Sequence, residues 1–164
     1  MTGAIPNSLC NLTNLEEVNL SINRLISTIP SNLDSLVNLK YLNLSSNKLH
    51  GSIPVSLGYL NNLLELYLFR NNLSEIIPET VCNLIENECQ ISVYDNQLCP
   101  PYFECLGDVV GIQDTSNCDQ RWKSKEDILY ENINFIDHLL FGKEENNINS
   151  QMARQILYKK DKIN

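Results

Sequence analysis

A repeat of 24 residues constrains this chain more than any other feature of its sequence. The dipeptide Ile-Pro recurs with that period, at residues 5–6, 29–30, 53–54 and 77–78. Leucines keep the same period at several further positions, one of which holds Leu12, Leu36, Leu60 and Leu84. A unit this small cannot bury its own leucines, so such units stack and share one continuous apolar core. The sequence therefore predicts a solenoid with one coil for each repeat.

Each unit follows the pattern L-x-x-L-x-L-x-x-N-x-L, as in residues 39–49. The x-L-x-L-x part alternates with the period of a short β-strand, so its leucines face inward and the residues between them face outward. We predict short parallel strands in one sheet, near residues 17–21, 41–45, 65–69 and 90–94. An asparagine follows each strand, at Asn23, Asn47, Asn71 and Asn96. Its amide has two donors and an acceptor, which suits it to bonding the backbone of its own turn and of the neighbouring coil.

The unit length and the segment I-P-x-x-L-x-x-L-x-x-L resemble the plant-type class of leucine-rich repeats. That class occurs in the ectodomains of receptor-like kinases and receptor-like proteins, and in polygalacturonase-inhibiting proteins. Residues 49–54 (Leu-His-Gly-Ser-Ile-Pro) fit its L-x-G-x-I-P element, whereas residues 26–28 and 74–76 lack the glycine. The resemblance covers about residues 2–118. It implies an α/β solenoid, a right-handed superhelix whose short-strand parallel sheet lines the concave face, with a cysteine-containing C-terminal cap.

The regular pattern is lost at both ends of the repeats. Residues 2–6 match the close of a unit, so we expect an array that is truncated at its N-terminus. The alternative is a short protein that exposes the edge of its first coil. After residue 98 the chain runs into Cys-Pro-Pro, and proline stops the repeat. We assign residues 1–98 to about four coils, residues 99–118 to a cysteine-rich cap and residues 119–164 to a helical tail.

Five of the six cysteines lie within 37 residues and are our disulfide candidates: Cys82, Cys89, Cys99, Cys105 and Cys118. The chain has no Cys-x2-Cys pair and only two histidines, which disfavours a zinc site. A local cluster in an acidic, asparagine-rich chain favours disulfides and hence an oxidising compartment. Reduced structural thiols and a metal site are the alternatives. The Cys-x5-Cys spacing directly after residue 98 resembles the cysteine-paired cap of plant-type arrays, but the sequence leaves the pairing open.

The tail differs from the repeats in charge and in period. Residues 1–118 carry 4 basic and 12 acidic residues, whereas residues 119–164 carry 8 of each. Residues 124–127 are typical of a helix start with a capping box, and apolar residues follow at helical spacing, at Leu129, Ile133, Ile136 and Leu140. A second, weaker helix is predicted near residues 150–158. The first helix either packs on the end of the array or docks on a partner or a missing domain, and a largely unstructured tail is the third interpretation.

Composition and motifs disfavour several classes of function. The net charge of −8, from 12 basic and 20 acidic residues, disfavours nucleic acid and a polybasic membrane surface as partners. No apolar run approaches the roughly 18 residues that cross a bilayer. The sequence has no phosphate-binding loop, no Gly-x-Ser-x-Gly and no His-Glu-x-x-His, and neither His50 nor His138 has an obvious catalytic partner. We therefore predict that the protein is not an enzyme and uses no metal or cofactor.

The outward-facing strand positions are the best candidates for a functional site. Aromatic residues and one arginine concentrate there in the last two coils, with one tyrosine beside them: Tyr41, Tyr67, Phe69, Arg70 and Tyr94. Such residues dominate binding hot spots, because they bury large areas with few rotors. We predict a non-catalytic recognition module whose concave face binds a protein, peptide or glycan, in the extracellular space or at the cell surface. A structural or adhesive surface protein and an inhibitor of a secreted enzyme are the alternatives.

Four Asn-x-Ser/Thr sequons begin at Asn11, Asn19, Asn43 and Asn72. Asn19 and Asn43 lie on the predicted strands, and the motif arises easily from the repeat pattern itself. We therefore name Asn11 and Asn72 as the glycosylation candidates.

Overall fold

The computed structural model describes residues 1–118, and the helices predicted for the tail lie outside that range. The strands are β1 (Thr2–Gly3), β2 (Glu17–Asn19), β3 (Arg24–Leu25), β4 (Tyr41–Asn43), β5 (His50–Gly51), β6 (Glu65–Tyr67), β7 (Asn72–Ile76), β8 (Gln90–Ser92) and β9 (Gln97–Cys99). One α-helix in the described part, α1 (Val81–Glu86), lies between β7 and β8. Short 3-10 helices occupy Asn7–Asn11, Leu33–Ser35, Val55–Tyr59 and Glu104–Val109. Among the described residues, no helix is both long and apolar enough to cross a membrane.

The first strand ladder is the one that the repeat predicts. β2, β4, β6 and β8 form a four-stranded parallel sheet, which confirms the predicted sheet although each strand has three residues rather than five. Backbone bonds continue beyond the strands, for example from Leu44 N to Tyr67 O (2.9 Å). The chain then turns at residues with φ between 52° and 55°, which are Ile22, Ser46, Arg70 and Asp95.

The structure has a second ladder of short strands, which we did not predict. Apart from β1, each of its strands comes shortly after one of the repeated asparagines. β1 pairs with β3, and β5, β7 and β9 form a three-stranded parallel sheet. Backbone bonds join the coils at neighbouring positions as well, for example from Lys48 N to Leu25 O (2.9 Å). These strands have two to five residues and too few alternating apolar positions to mark a strand in the sequence.

The leucines of the repeat form one continuous core. Leu42 and Leu66, which face inward from the first ladder, are fully buried, as are Leu44 and Leu68. Burial of such a side chain stabilises the fold by about 1.5–3 kcal/mol relative to exposure. Leu12 departs from the pattern and is 54% exposed, because the described residues cover the first coil on one side only.

The repeated asparagines join successive coils, as the sequence predicts. Asn71 Nδ2 donates to Leu44 O in the preceding coil and to Leu68 O in its own coil, both at 3.0 Å. Asn71 Oδ1 accepts a hydrogen bond from Leu49 N (3.0 Å). Each buried backbone group that lost its partner here would cost about 1–3 kcal/mol. The same arrangement recurs one coil before and one coil after, at Asn47 and Asn96.

Residues 99–118 form a cap that two disulfides hold in place. Cys82 in α1 pairs with Cys105, with 5.7 Å between their Cα atoms. Cys99 at the end of β9 pairs with Cys118, with 5.6 Å between their Cα atoms. The two cysteines of the Cys-x5-Cys motif are therefore bonded to other cysteines and not to each other.

The inclusion of Cys89 among the disulfide candidates is wrong, because its thiol is free and part of the core. Burial raises the pKa of the Cys89 thiol from 9.0 to about 11, and the nearby Glu65 carboxylate is the smaller cause. Cys10 is the other free cysteine. It is buried as well, and its pKa is raised first by burial and then by Asp34. Cys10 and Cys89 both face inward from the coils, whereas the bonded cysteines lie in α1 and in the cap.

Candidate functional site

The five predicted binding residues all lie on the outward side of the four-stranded sheet, which we call the sheet face. Tyr41 belongs to β4 and Tyr67 to β6, while Phe69, Arg70 and Tyr94 follow shortly after β6 and β8. The structure places the four aromatic residues in two adjoining groups rather than in one, with Arg70 at the edge of one group. Tyr67 belongs to both groups.

The first group is the aromatic cluster, which consists of Tyr67, Phe69 and Tyr94. The rings of Phe69 and Tyr94 stack, with centroids 4.7 Å apart and planes inclined by 8°. Tyr67 meets Phe69 edge-on, with centroids 6.2 Å apart and planes inclined by 62°. Both geometries are favourable for aromatic pairs, each worth about 0.5–1.5 kcal/mol beyond the area that it buries. All three side chains are half-buried and lie outside the core.

The cap supports the aromatic cluster from one side. Gly111 lies against Tyr94, and a Cβ added to this glycine would lie 2.6 Å from the Cβ of Tyr94. Gly111 also has a φ of 60°, which other residues rarely adopt. The close approach requires glycine at this position, and it places Tyr94 directly against the cap.

Arg70 extends from the edge of the aromatic cluster. Its Nε lies 3.5 Å from Asp95 Oδ2, and both side chains are largely exposed to solvent. An exposed ion pair of this kind contributes about 0–1 kcal/mol to stability. The guanidinium therefore remains available to a partner at low cost.

The second group lines a depression of about 220 Å³ on the sheet face, which we call the acidic notch. Its walls are Tyr41, Tyr67 and the two carboxylates Glu17 and Glu65, with Asn19 and Asn43 among the other lining residues. The strand register explains the grouping, since Glu17, Tyr41 and Glu65 are aligned across β2, β4 and β6. Our sequence-based site omitted the two glutamates, although they occupy the same outward row as Tyr41.

Tyr67 connects the acidic notch to the aromatic cluster. Its hydroxyl donates to Gln90 Oε1 (3.4 Å). Burial raises the pKa of Tyr67, and the nearby Glu65 carboxylate raises it further. The hydroxyl is therefore protonated at neutral pH and acts as a hydrogen-bond donor at the rim of the notch.

The sequon asparagines have different environments. Asn19 Oδ1 accepts hydrogen bonds from the Ser21 hydroxyl (2.8 Å), and Asn43 Oδ1 accepts from the Ser45 hydroxyl (2.7 Å). Both asparagines lie on the sheet face. Asn11 and Asn72, our glycosylation candidates, are exposed and lie elsewhere, in the first 3-10 helix and in β7. Their glycosylation stays a prediction.

Two of the larger depressions outside the sheet face lie beside the cap and between neighbouring coils. One, of about 490 Å³, lies beside the Cys82–Cys105 disulfide and is lined partly by Glu79, Glu86 and Glu104. The other, of about 580 Å³, follows residues 52–56 and crosses to residues 75–78 of the next coil. Such grooves arise wherever coils stack, so neither of them identifies a ligand.

Comparison with known proteins agrees with this architecture. Residues 7–80 match the family described as leucine rich repeat. No curated protein matches the chain at a significant level. Residues 7–80 are therefore leucine-rich repeats by sequence, and the chain is similar to the leucine-rich-repeat ectodomains of plant receptor kinases.

Three solved structures illustrate the similarity. One is the leucine-rich-repeat ectodomain of the Arabidopsis thaliana membrane receptor kinase GASSHO1/SCHENGEN3 in complex with CASPARIAN STRIP INTEGRITY FACTOR 2 (30% identity, TM-score 0.61, 68% of this chain and 13% of that chain). Another is the plant peptide hormone receptor RGFR1 in complex with RGF2 (33% identity, TM-score 0.57, 60% and 16%). The third is the BIR3–SERK2 complex from Arabidopsis thaliana (35% identity, TM-score 0.62, 66% and 60%). The chain thus spans less than two thirds of each of these proteins.

Proposed function

We propose that this chain is a non-catalytic recognition module that binds a protein or peptide on the sheet face, outside the cell. The observation that carries the proposal is the aromatic cluster. Three large rings stand together on the outward side of the sheet, where the core does not require them. A partner that covers them gains apolar contact at a small cost in rotamer entropy, which is why such residues act as binding hot spots.

The similar structures support this class of function. The GASSHO1/SCHENGEN3 ectodomain and the peptide hormone receptor RGFR1 were both solved with a bound ligand, and BIR3–SERK2 is a complex of two proteins. The two disulfides and the ectodomain neighbours support an extracellular location. We take from these relatives the class of partner, and not its identity, because the chain spans only part of their length.

The test is a selection from a phage-displayed library of random dodecapeptides, followed by affinity measurements by calorimetry. We expect Phe69→Ala and Tyr94→Ala to weaken the selected peptides by about 1–3 kcal/mol each, which is roughly 5- to 150-fold in Kd. Tyr59→Ala is the matched control, because Tyr59 is an exposed tyrosine in a 3-10 helix, away from the sheet face. Equal losses for Tyr59→Ala and Phe69→Ala, or none for either, would overturn the proposal.

The same variants separate the alternative functions. A structural or adhesive spacer makes no use of the aromatic cluster, so its cell-surface role would survive Phe69→Ala. An inhibitor of a secreted enzyme would lose inhibition together with binding. Assays of adhesion and of inhibition on the same set of variants therefore distinguish the three functions.

A further inference from the structure

The acidic notch carries a charge that the described residues do not balance. Glu17 and Glu65 each carry a formal negative charge at pH 7. Residues 1–118 contain two ion pairs, Lys40–Glu16 (2.7 Å) and Arg70–Asp95 (3.5 Å). The other two basic side chains of these residues, Arg24 and Lys48, lie in β3 and just before β5, in the second ladder, and the N-terminal ammonium bonds Asn23. Neither glutamate of the notch therefore has a cationic partner within the described part of the chain.

The walls and the size of the notch restrict what it can hold. Tyr41 and Tyr67 present aromatic rings beside the carboxylates, and Tyr41 is 39% exposed. Carboxylates together with aromatic faces attract ammonium and guanidinium groups by Coulomb and cation–π interactions. The volume of about 220 Å³ lies below the roughly 300–1,000 Å³ of pockets that hold whole drug-sized molecules. The notch therefore suits one long side chain rather than a separate small molecule.

We propose that the acidic notch binds a lysine or arginine side chain of an extended peptide, while an apolar side chain of the same peptide covers the aromatic cluster. This inference rests on the proposed function, because it specifies the ligand class of the same sheet face. The amide oxygens of Asn19 and Asn43 are already engaged by serine hydroxyls, which leaves the glutamates as the main acceptors for the bound cation.

The strand geometry sets the spacing between the two peptide side chains. Neighbouring strands are about 4.8 Å apart and residues rise by about 3.3 Å along a strand, so the notch and the cluster are on the order of 10 Å apart. An extended peptide covers that distance in about three residues. We therefore expect selected peptides to contain a basic residue about two to four positions from an aromatic or aliphatic residue.

The experiment uses the peptides from the dodecapeptide selection, resynthesised with the basic residue or with norleucine in its place. We expect Glu17→Gln combined with Glu65→Gln to weaken the basic peptides about 10-fold and to reduce the dependence of Kd on salt. The norleucine peptides should bind the wild type about as weakly as the basic peptides bind this variant. Glu86→Gln combined with Glu104→Gln is the matched control, because it removes two exposed carboxylates outside the sheet face.

The outcomes separate the inference from the proposed function. Some outcomes would overturn the inference alone. One is that the peptides bind Phe69→Ala more weakly than the wild type, but carry no basic residue and bind the double glutamine variant as tightly as the wild type. Equal weakening by the glutamate pair of the notch and by the control pair would show general attraction to an acidic protein, and would overturn it as well. Peptides that bind Phe69→Ala as tightly as the wild type would overturn the proposed function. Melting temperatures near that of the wild type would show that the glutamine variants are folded.

Discussion

Asn96 and Gln113 hold equivalent places in two different regions of the molecule, the repeats and the cap. Asn96 Nδ2 donates to Leu68 O (3.1 Å) and Val93 O (2.9 Å), and its Oδ1 accepts from Leu73 N (3.0 Å). Gln113 Nε2 donates to Val93 O (3.0 Å) and Val110 O (2.7 Å), and its Oε1 accepts from Leu98 N (3.2 Å). Gln113 thus makes hydrogen bonds to the backbone at the end of the last repeat, just as each repeated asparagine makes hydrogen bonds to the backbone of the preceding coil.

The two regions differ in what holds the backbone around Asn96 and around Gln113 in place. Asn71 and Asn96 are 25 residues apart, whereas Gln113 follows Asn96 after only 17 residues. A full coil is held by its leucines and by the next coil. The cap has too few residues for that, and the disulfides Cys82–Cys105 and Cys99–Cys118 tie its ends to the array instead.

The largest effect should come from cavities in the two regions. Leu68→Ala removes a fully buried side chain in the repeats and should cost about 2–5 kcal/mol of unfolding free energy in urea denaturation. Leu106→Ala in the cap, also buried, should cost less, because the disulfides still hold the chain around it. Phe69→Ala is the control and should change stability by less than either variant. Equal costs for Leu68→Ala and Leu106→Ala would contradict the distinction between the two regions.

Removal of one disulfide should destabilise the cap and spare the repeats. Cys82→Ser combined with Cys105→Ser opens a loop of 23 residues and should cost about 3 kcal/mol. Hydrogen exchange should speed up at Asp95 N, which bonds Ile112 O, and stay slow at Leu44 N in the repeats. Cys89→Ala, which removes a free cysteine, should leave exchange in the cap unchanged. Uniform acceleration in both regions would show that cap and repeats unfold together.

Asn96 and Gln113 themselves provide the next comparison. Asn96→Ala leaves buried backbone groups without partners and should cost about 3 kcal/mol in urea denaturation. Gln113→Ala should cost about 1 kcal/mol, because Gln113 is only half-buried and water can replace part of its bonding. A larger loss for Gln113→Ala would mean that the cap, and not the repeats, limits the stability of the array.

The smallest effect concerns a strained position in the first coil. Ile22 has a φ of 52° and is 83% exposed, a conformation that is unfavourable for a β-branched residue and tolerated by asparagine. Ile22→Asn should therefore stabilise the protein by about 0.5–1 kcal/mol in thermal melts. Ile26→Asn, another exposed isoleucine but one without a positive φ, should give no such gain. An equal gain for both variants would show that replacing an exposed isoleucine with a polar residue, and not the relief of backbone strain, stabilises the protein.

The sequence predicted those parts of the structure that repeat, and it failed where the repeat is broken. The parallel sheet and the asparagine hydrogen bonds between coils follow from leucines and asparagines that recur at the same position in several units. The role of Gln113 was not visible, because it has a different residue type and a different spacing. The free thiol of Cys89 was missed as well, since proximity in the sequence does not say which cysteines face the core.

The placement of the candidate residues on one face was predictable, but their grouping was not. Strand alternation alone put Tyr41, Tyr67 and Phe69 on one face. The division into an aromatic cluster and an acidic notch depends on ring orientations and on the strand register that aligns Glu17 and Glu65 beside Tyr41. The alternation of residues along a strand does not contain that information, because it indicates which face a residue occupies and not which neighbouring side chains it contacts.

The contact between Gly111 and Tyr94 has a consequence for anyone who exchanges modules between arrays of this kind. A designer who cuts the chain after residue 98 and joins a foreign cap would keep every repeat intact and still alter the surface offered to a partner. A side chain introduced opposite Tyr94 would clash with its Cβ, and so shift the residue whose ring stacks on Phe69. The interchangeable unit is therefore the last two coils together with the cap, and chimeras are best joined upstream of β6.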